Sequence, residues 1–139
     1  DSLQHDRGVE KFKDGSVYRG GFTLGRKSGP GTLEWADGSK YEGEFSDNAL
    51  HGKGKYTWSD GRTYDGDWQA NKMHGRGVFE WEDGRRYVGE YIEDMKHGTG
   101  TFYWQDGRKY EGEWRNGKQH GQGVYTSASG ETKKGVWKN

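Results

Sequence analysis

Three sets of residues in this chain could do chemistry, and each set recurs at one spacing. His51, His74, His97 and His120 stand 23 residues apart, and imidazoles are common metal ligands. Asp37, Asp60, Asp83 and Asp106 each precede a glycine and could act as general acids or bases. Gly29/Gly31, Gly52/Gly54, Gly75/Gly77, Gly98/Gly100 and Gly121/Gly123 form Gly-x-Gly pairs of the kind that cradle phosphate. The regular spacing argues against all three chemistries. Residues one repeat apart in a sheet lie ~10 Å from each other, too far for two histidines to share a zinc at ~2.0–2.1 Å. An aspartate before glycine is the signature of a tight turn. The nucleotide fingerprint needs a third glycine and a following helix, but Glu34, Thr57 and Glu80 fill that slot. No catalytic residue, metal site or cofactor is therefore expected.

The elements that carry these residues come from a repeat. Tyr18, Tyr41, Tyr64, Tyr87 and Tyr110 recur every 23 residues. Gly20, Gly43, Gly66, Gly89 and Gly112 follow two residues later, then Phe22, Phe45, Trp68, Tyr91 and Trp114. Trp35, Trp58, Trp81 and Trp104 each precede x-Asp-Gly. With Tyr56, Phe79, Phe102 and Tyr125 as a fourth aromatic column, only Tyr103 of the 21 aromatic residues lies outside the repeat, so the aromatics are placed by structure and not by chance. The units read as 1–17 (a partial first repeat or N-terminal cap), then 18–40, 41–63, 64–86, 87–109 and 110–132, then 133–139 (the start of a worn repeat or C-terminal cap).

Low apolar content, 27%, would by itself suggest disorder. The ordered aromatics and glycines override that reading. Equal numbers of acidic and basic residues, 22 each, leave no net field to attract nucleic acid. The chain has no cysteine, which fits a cytoplasmic setting. No apolar run approaches the ~20 residues of a membrane span, and no signal peptide is visible. The ends, Asp1 and Lys138-Asn139, are those expected of a piece cut from a longer protein.

Lys40–Phe45 and Gly54–Trp58 alternate polar residues with aromatics or glycine, the period of a strand. Asp-Gly between two such runs predicts a hairpin. An odd-numbered loop there gathers Gly54, Tyr56, Trp58, Tyr64, Gly66 and Trp68 on one face; an even one would split them. The odd loop is the expectation, because rings can then lie over bare glycine. The other connection, such as Asn71–Gly75, reads as longer and polar. The opposite face carries Glu42, Glu44, Lys53, Lys55, Asp65, Asp67 and Arg76, with cross-strand ion pairs. Glu90 and Glu113 on that face are expected to tolerate substitution.

Tyr-x-Gly-x-Trp/Phe, His-Gly-x-Gly and Asp-Gly on this period closely resemble the MORN (membrane occupation and recognition nexus) repeat. Tyr64–Trp68 and His74–Gly77 match best, Ser28 departs where His is expected, and the resemblance runs from about Gly8 to Trp137. It implies an all-β, elongated, single-layer antiparallel sheet of tandem hairpins, solenoid-like, that performs no reaction. Family members include junctophilins, plant phosphatidylinositol phosphate kinases and cytoskeletal scaffolds. The implied role is a scaffold for protein–protein interaction or self-association in membrane-associated or cytoskeletal assemblies. The expected partner is a helix, an extended peptide or a second copy, on an open aromatic groove of Tyr41, Phe45, Tyr64, Trp68, Tyr87, Tyr91, Tyr110 and Trp114. The alternative is an adaptor for membrane phospholipid or phosphoinositide, using Arg85, Arg86, Arg108 and Lys109, or a regulatory region beside a catalytic domain. A carbohydrate- or choline-binding repeat also uses Trp, Tyr and Gly, but the phasing here speaks against it.

Overall fold

The computed structural model describes residues 5–137. The ends of the two terminal caps, residues 1–4 and 138–139, lie outside the described residues. The fold is all-β, with twelve antiparallel strands in chain order and no helix among the described residues. Two compact units divide the chain at Lys72/Met73. The first holds β1 (His5–Lys11), β2 (Val17–Thr23), β3 (Arg26–Glu34), β4 (Lys40–Ser46), β5 (Ala49–Thr57) and β6 (Thr63–Gln69). The second holds β7 (Lys72–Glu80), β8 (Arg86–Ile92), β9 (Met95–Tyr103), β10 (Lys109–Arg115), β11 (Lys118–Thr126) and β12 (Thr132–Trp137).

Two turn chemistries alternate along the chain. The Asp-Gly connection is odd-numbered: Thr57 pairs with Thr63, leaving Trp58 to Arg62 between them. The Trp58 N–H donates to the Arg62 carbonyl at 2.8 Å and the Gly61 N–H to the Trp58 carbonyl at 3.0 Å. Gly61 takes φ 96°, a left-handed conformation that glycine adopts without penalty. Aromatics and glycines therefore share a face, as the alternation requires.

The second connection is shorter than its polar composition suggests. It has two residues, not five: in Asp47-Asn48 and Ala70-Asn71 both residues have positive φ, which is a type I′ turn. Lys72 to Gly75 already lie in β7. The Asn71 side-chain oxygen accepts the Leu50 N–H at 2.9 Å while its own N–H donates to the Leu50 carbonyl at 3.0 Å. Asp94 makes the same pair of bonds with Met73, at 2.8 and 2.9 Å.

His-Gly-x-Gly is a bulge motif. Gly43 pairs with Gly54 and Phe45 with Leu50, so the single residue Glu44 faces His51, Gly52 and Lys53. Gly52 takes φ 73° to fold the extra residues out. The surplus is two residues, so every side chain beyond the bulge keeps its face. Glu90 and Glu113 hold the equivalent position and are not tolerant surface residues. A carboxylate oxygen of Glu90 accepts the Thr99 N–H at 2.9 Å, and one of Glu113 accepts the Gln122 N–H at 2.7 Å. Each satisfies a bulge amide that the ladder leaves unpaired.

Across each unit the glycines stand opposite one another in a row. Gly8, Gly20, Gly31, Gly43, Gly54 and Gly66 are successive partners in the first unit. Gly77, Gly89, Gly100, Gly112, Gly123 and Gly135 are successive partners in the second. The tyrosines lie down on this row. Tyr41 covers Gly43 and Gly54, and its hydroxyl donates to the Glu44 carbonyl at 2.9 Å. Tyr87 covers Gly89 and Gly100 and donates to the Glu90 carbonyl at 3.1 Å. Neighbouring rings close over each tyrosine edge-on: Phe45 and Trp68 stand 5.1 and 5.6 Å from Tyr41, and Tyr91 and Trp114 stand 5.3 and 5.4 Å from Tyr87.

This packing corrects the expected open groove. Tyr41, Tyr64, Tyr87 and Tyr110 are 0% exposed, and Phe45, Trp68, Tyr91 and Trp114 are 4–7% exposed. All eight are core. The glycine row removes the side chains that would hold a ring away from the backbone, so the rings bury themselves without a second layer. Desolvation keeps the Tyr41 and Tyr87 phenols well above the ordinary tyrosine range. On the opposite face the expected cross-strand ion pairs form between Lys53 and Asp67 and, at 3.4 Å, between Arg76 and Glu90. Both are exposed and contribute about 0–1 kcal/mol each.

Candidate functional site

With those eight residues in the interior, the aromatic surface that remains belongs to another column. Trp35, Trp58, Trp81 and Trp104 stand immediately before the Asp-Gly turns and are all half-buried. Within each unit, rings of the second strand of each hairpin link them into a ladder. In the first unit Trp35, Tyr56 and Trp58 follow one another at centroid distances of 5.1 and 4.5 Å. In the second unit Phe79, Trp81, Phe102 and Trp104 follow at 4.5, 5.4 and 4.7 Å.

The turn fixes each indole. The Asp60 carboxylate accepts the Arg62 N–H at 3.1 Å and the Arg62 guanidinium at 2.9 Å. Arg62 then lies 5.1 Å over Trp58. Asp83 and Arg85 repeat this at Trp81, and Asp106 and Arg108 repeat it at Trp104, each arginine 5.0 Å from its ring. Backbone amides, and next the arginines, hold Asp60, Asp83 and Asp106 below the usual carboxylate range. These aspartates are turn-forming anions, fully occupied by their own turns. Trp58, Trp81 and Trp104 thus each present an indole with a guanidinium plane beside it, a surface suited to stacking and to accepting carbonyl groups.

The other sequence candidates have structural places. His51, His74, His97 and His120 sit inside β5, β7, β9 and β11 at the start of each bulge, not in a loop. His74 Nδ1 accepts the Glu93 N–H at 3.4 Å. Among the described residues no three His, Cys, Asp or Glu side chains converge on a point that could hold a metal. The basic set is tied up locally: Arg85 and Arg108 to their turns, Arg86 4.6 Å over Tyr103, and Lys109 3.3 Å from Glu111. That arrangement lends the phospholipid alternative no support. The ladder was legible in the recurring Trp-x-Asp-Gly-Arg at 58–62, 81–85 and 104–108. The tyrosine columns are the more regular signal, running through all five repeats.

Comparison with known proteins agrees with this architecture. The family model described as the MORN repeat matches residues 18–40, 41–61, 64–85, 87–107 and 110–132. No curated protein matches the sequence at a significant level. Among solved structures the fold is similar to the SAS-4 (dCPAP) TCP domain of Drosophila melanogaster, in complex with a proline-rich motif of Ana2 (dSTIL). The TM-score is 0.52 at 11% identity, over 99% of this chain and 90% of that one. Virginiamycin B lyase from Staphylococcus aureus overlaps at a TM-score of 0.27 and 13% identity, over 94% of this chain and 55% of that one. That overlap is too weak to bear on the fold.

Proposed function

The chain belongs to the MORN repeat family, and on that premise we propose that it is a non-catalytic scaffold module that binds an extended, proline-containing protein segment along the tryptophan–arginine ladder of its second unit. The family is one of repeat scaffolds and is generally non-catalytic. MORN repeats occur in membrane-associated proteins, which supports a role at such an assembly.

The half-buried indoles of Trp81 and Trp104, held in fixed orientation by their turns, carry the proposal. Polyproline segments dock on rows of exposed aromatic rings because the ligand is already ordered before binding. The turn aspartates neutralise these arginines and bond them through Nε, so the terminal guanidinium N–H groups can still donate to the neutral ligand carbonyls that a polyproline conformation leaves free. The complex of the structurally similar SAS-4 domain with a proline-rich motif supports the choice of ligand.

Titration of the chain with proline-rich peptides, followed by tryptophan fluorescence, tests the proposal. Trp81→Ala and Trp104→Ala should each weaken capture about tenfold, as loss of an aromatic anchor does, with the circular dichroism spectrum unchanged. Wild-type affinity in both variants would remove the ladder from the binding site. A chain that ignores peptides but doubles its mass in solution would make a second copy the partner.

A further inference from the structure

The second residue of the second strand differs between repeats where the scaffold repeats otherwise. Lys27, Leu50, Met73, Lys96 and Gln119 occupy one column at 23-residue spacing. Leu50 and Met73 are buried apolar side chains. Lys96 places an ammonium in the equivalent position. Its Nζ lies 5.5, 5.4, 5.7 and 5.7 Å from the ring centroids of Trp81, Tyr87, Phe102 and Trp114. Four rings surround it, and no ion pair holds it among the described residues. Burial in this cage, with Arg85 nearby, lowers its pKa below the ordinary lysine value. Beside the cage lies a cavity of about 400 Å³ lined by Lys96, Lys118, Phe102, Trp104, Trp114 and Trp137, and no carboxylate lines it. In a chain of zero net charge this is a locally cationic hollow with aromatic walls.

We propose that this cavity is a recognition pocket for an acidic side chain, Glu or Asp, carried by the protein segment on the ladder. The inference rests on the ladder reading for the identity of its ligand, because the ladder residue Trp81 is one of the rings around Lys96 and the ladder residue Trp104 lines the cavity. A segment stacked on the ladder therefore passes the pocket mouth. Its carboxylate meets an ammonium that has shed much of its water, where a charge-assisted hydrogen bond is stronger than on an open surface. Lys118 supplies a second, exposed ammonium at the rim.

Two ligands separate this inference from the ladder reading. The first is N-acetyl-glutamate N-methylamide, with its glutamine counterpart as control, each added at millimolar concentration while the Lys96 side-chain resonance is followed by NMR. The second is a proline-rich peptide carrying one Glu, compared with its Gln twin. Lys96→Met supplies the assignment and the control, since Met73 shows that methionine fits this position. Lys96→Gln, the residue at 119, is a second variant should the first misfold.

The Lys96 signal should move with the glutamate ligand and not with the glutamine one. The Glu peptide should bind wild type about tenfold tighter than its Gln twin and bind Lys96→Met no tighter than that twin. A Lys96 signal unmoved by both Glu-bearing ligands overturns the pocket. Equal binding of the two peptides to wild type, with ladder tryptophans perturbed, overturns the pocket and leaves the ladder standing. A Lys96 response to the small glutamate ligand without any peptide binding supports the pocket and removes the ladder reading instead.

Discussion

At the scale of single residues, the motif Tyr-x-Gly-x-Trp/Phe is a packing instruction. The tyrosine lies over the glycine two positions on and bonds the carbonyl three positions on, as Tyr87 does over Gly89 to Glu90. A Cβ added at Gly89 would lie 2.5 Å from the Gly100 Cα, 2.6 Å from the Tyr87 hydroxyl and 2.8 Å from the Thr99 carbonyl oxygen. Two of these neighbours are backbone and cannot move aside. Gly89→Ala should therefore destabilise by about 1–3 kcal/mol through overpacking, despite alanine's smaller entropy loss, and urea denaturation measures it. A variant as stable as wild type would show that Tyr87 does not lie on the row.

Lys96 is the residue whose cost has the opposite sign. Its folded-state pKa is lowered, chiefly by burial, so the unfolded chain binds the proton more tightly. That destabilises the fold at neutral pH, and the loss is relieved as pH rises from the lowered value toward 10.5. Lys96→Met should raise the melting temperature at pH 7, and its advantage over wild type should shrink as pH approaches 10.5. Comparing the two proteins at each pH cancels the buried tyrosines, which titrate in both. An advantage that grows with pH would contradict the cage geometry.

At the scale of elements, the hairpin depends on two polar devices that hydrophobic patterning does not reveal. One is the Asn or Asp in the type I′ turn, which bonds the start of a neighbouring strand, as Asn71 does Leu50. The other is the bulge glutamate. Glu113→Ala leaves the Gln122 amide without its acceptor, a loss of about 1 kcal/mol. Glu113→Gln keeps an acceptor oxygen and should lose less. Glu42→Ala, on an exposed side chain of the same face, should stay within about 0.5 kcal/mol of wild type. Chemical denaturation of the three variants checks the ranking, and equal stability of Glu113→Ala and Glu42→Ala would sink the bulge assignment.

At the scale of the whole molecule, the sequence disclosed the period, the strand patterning and the odd Asp-Gly loop, because each depends on local chemistry that glycine and alternation record directly. It misjudged the second connection because Asp47-Asn48, Ala70-Asn71 and Glu93-Asp94 adopt positive φ without glycine. It also suggested an open groove where the rings are core. Alternation says which face a ring takes but not whether the ring stands up or lies down, and the row of opposed glycines decides that only once the strands are paired. Lys96 was invisible for a similar reason: in sequence it is one lysine in a polar stretch, and only the fold brings four rings around it.

The seven tryptophans allow the central claim to be tested in one spectrum. Trp68 and Trp114 are core, and their indole N–H groups donate to the Gly54 and Gly100 carbonyls, each at 3.1 Å. Trp81 and Trp104 form the ladder of the second unit. In a ¹H–¹⁵N correlation spectrum recorded while a proline-rich peptide is added, the ladder indole signals should shift together and saturably, while those of Trp68 and Trp114 stay in place. Saturable shifts at Trp68 and Trp114 with the ladder signals unmoved would contradict the account and return the binding surface to the tyrosine columns.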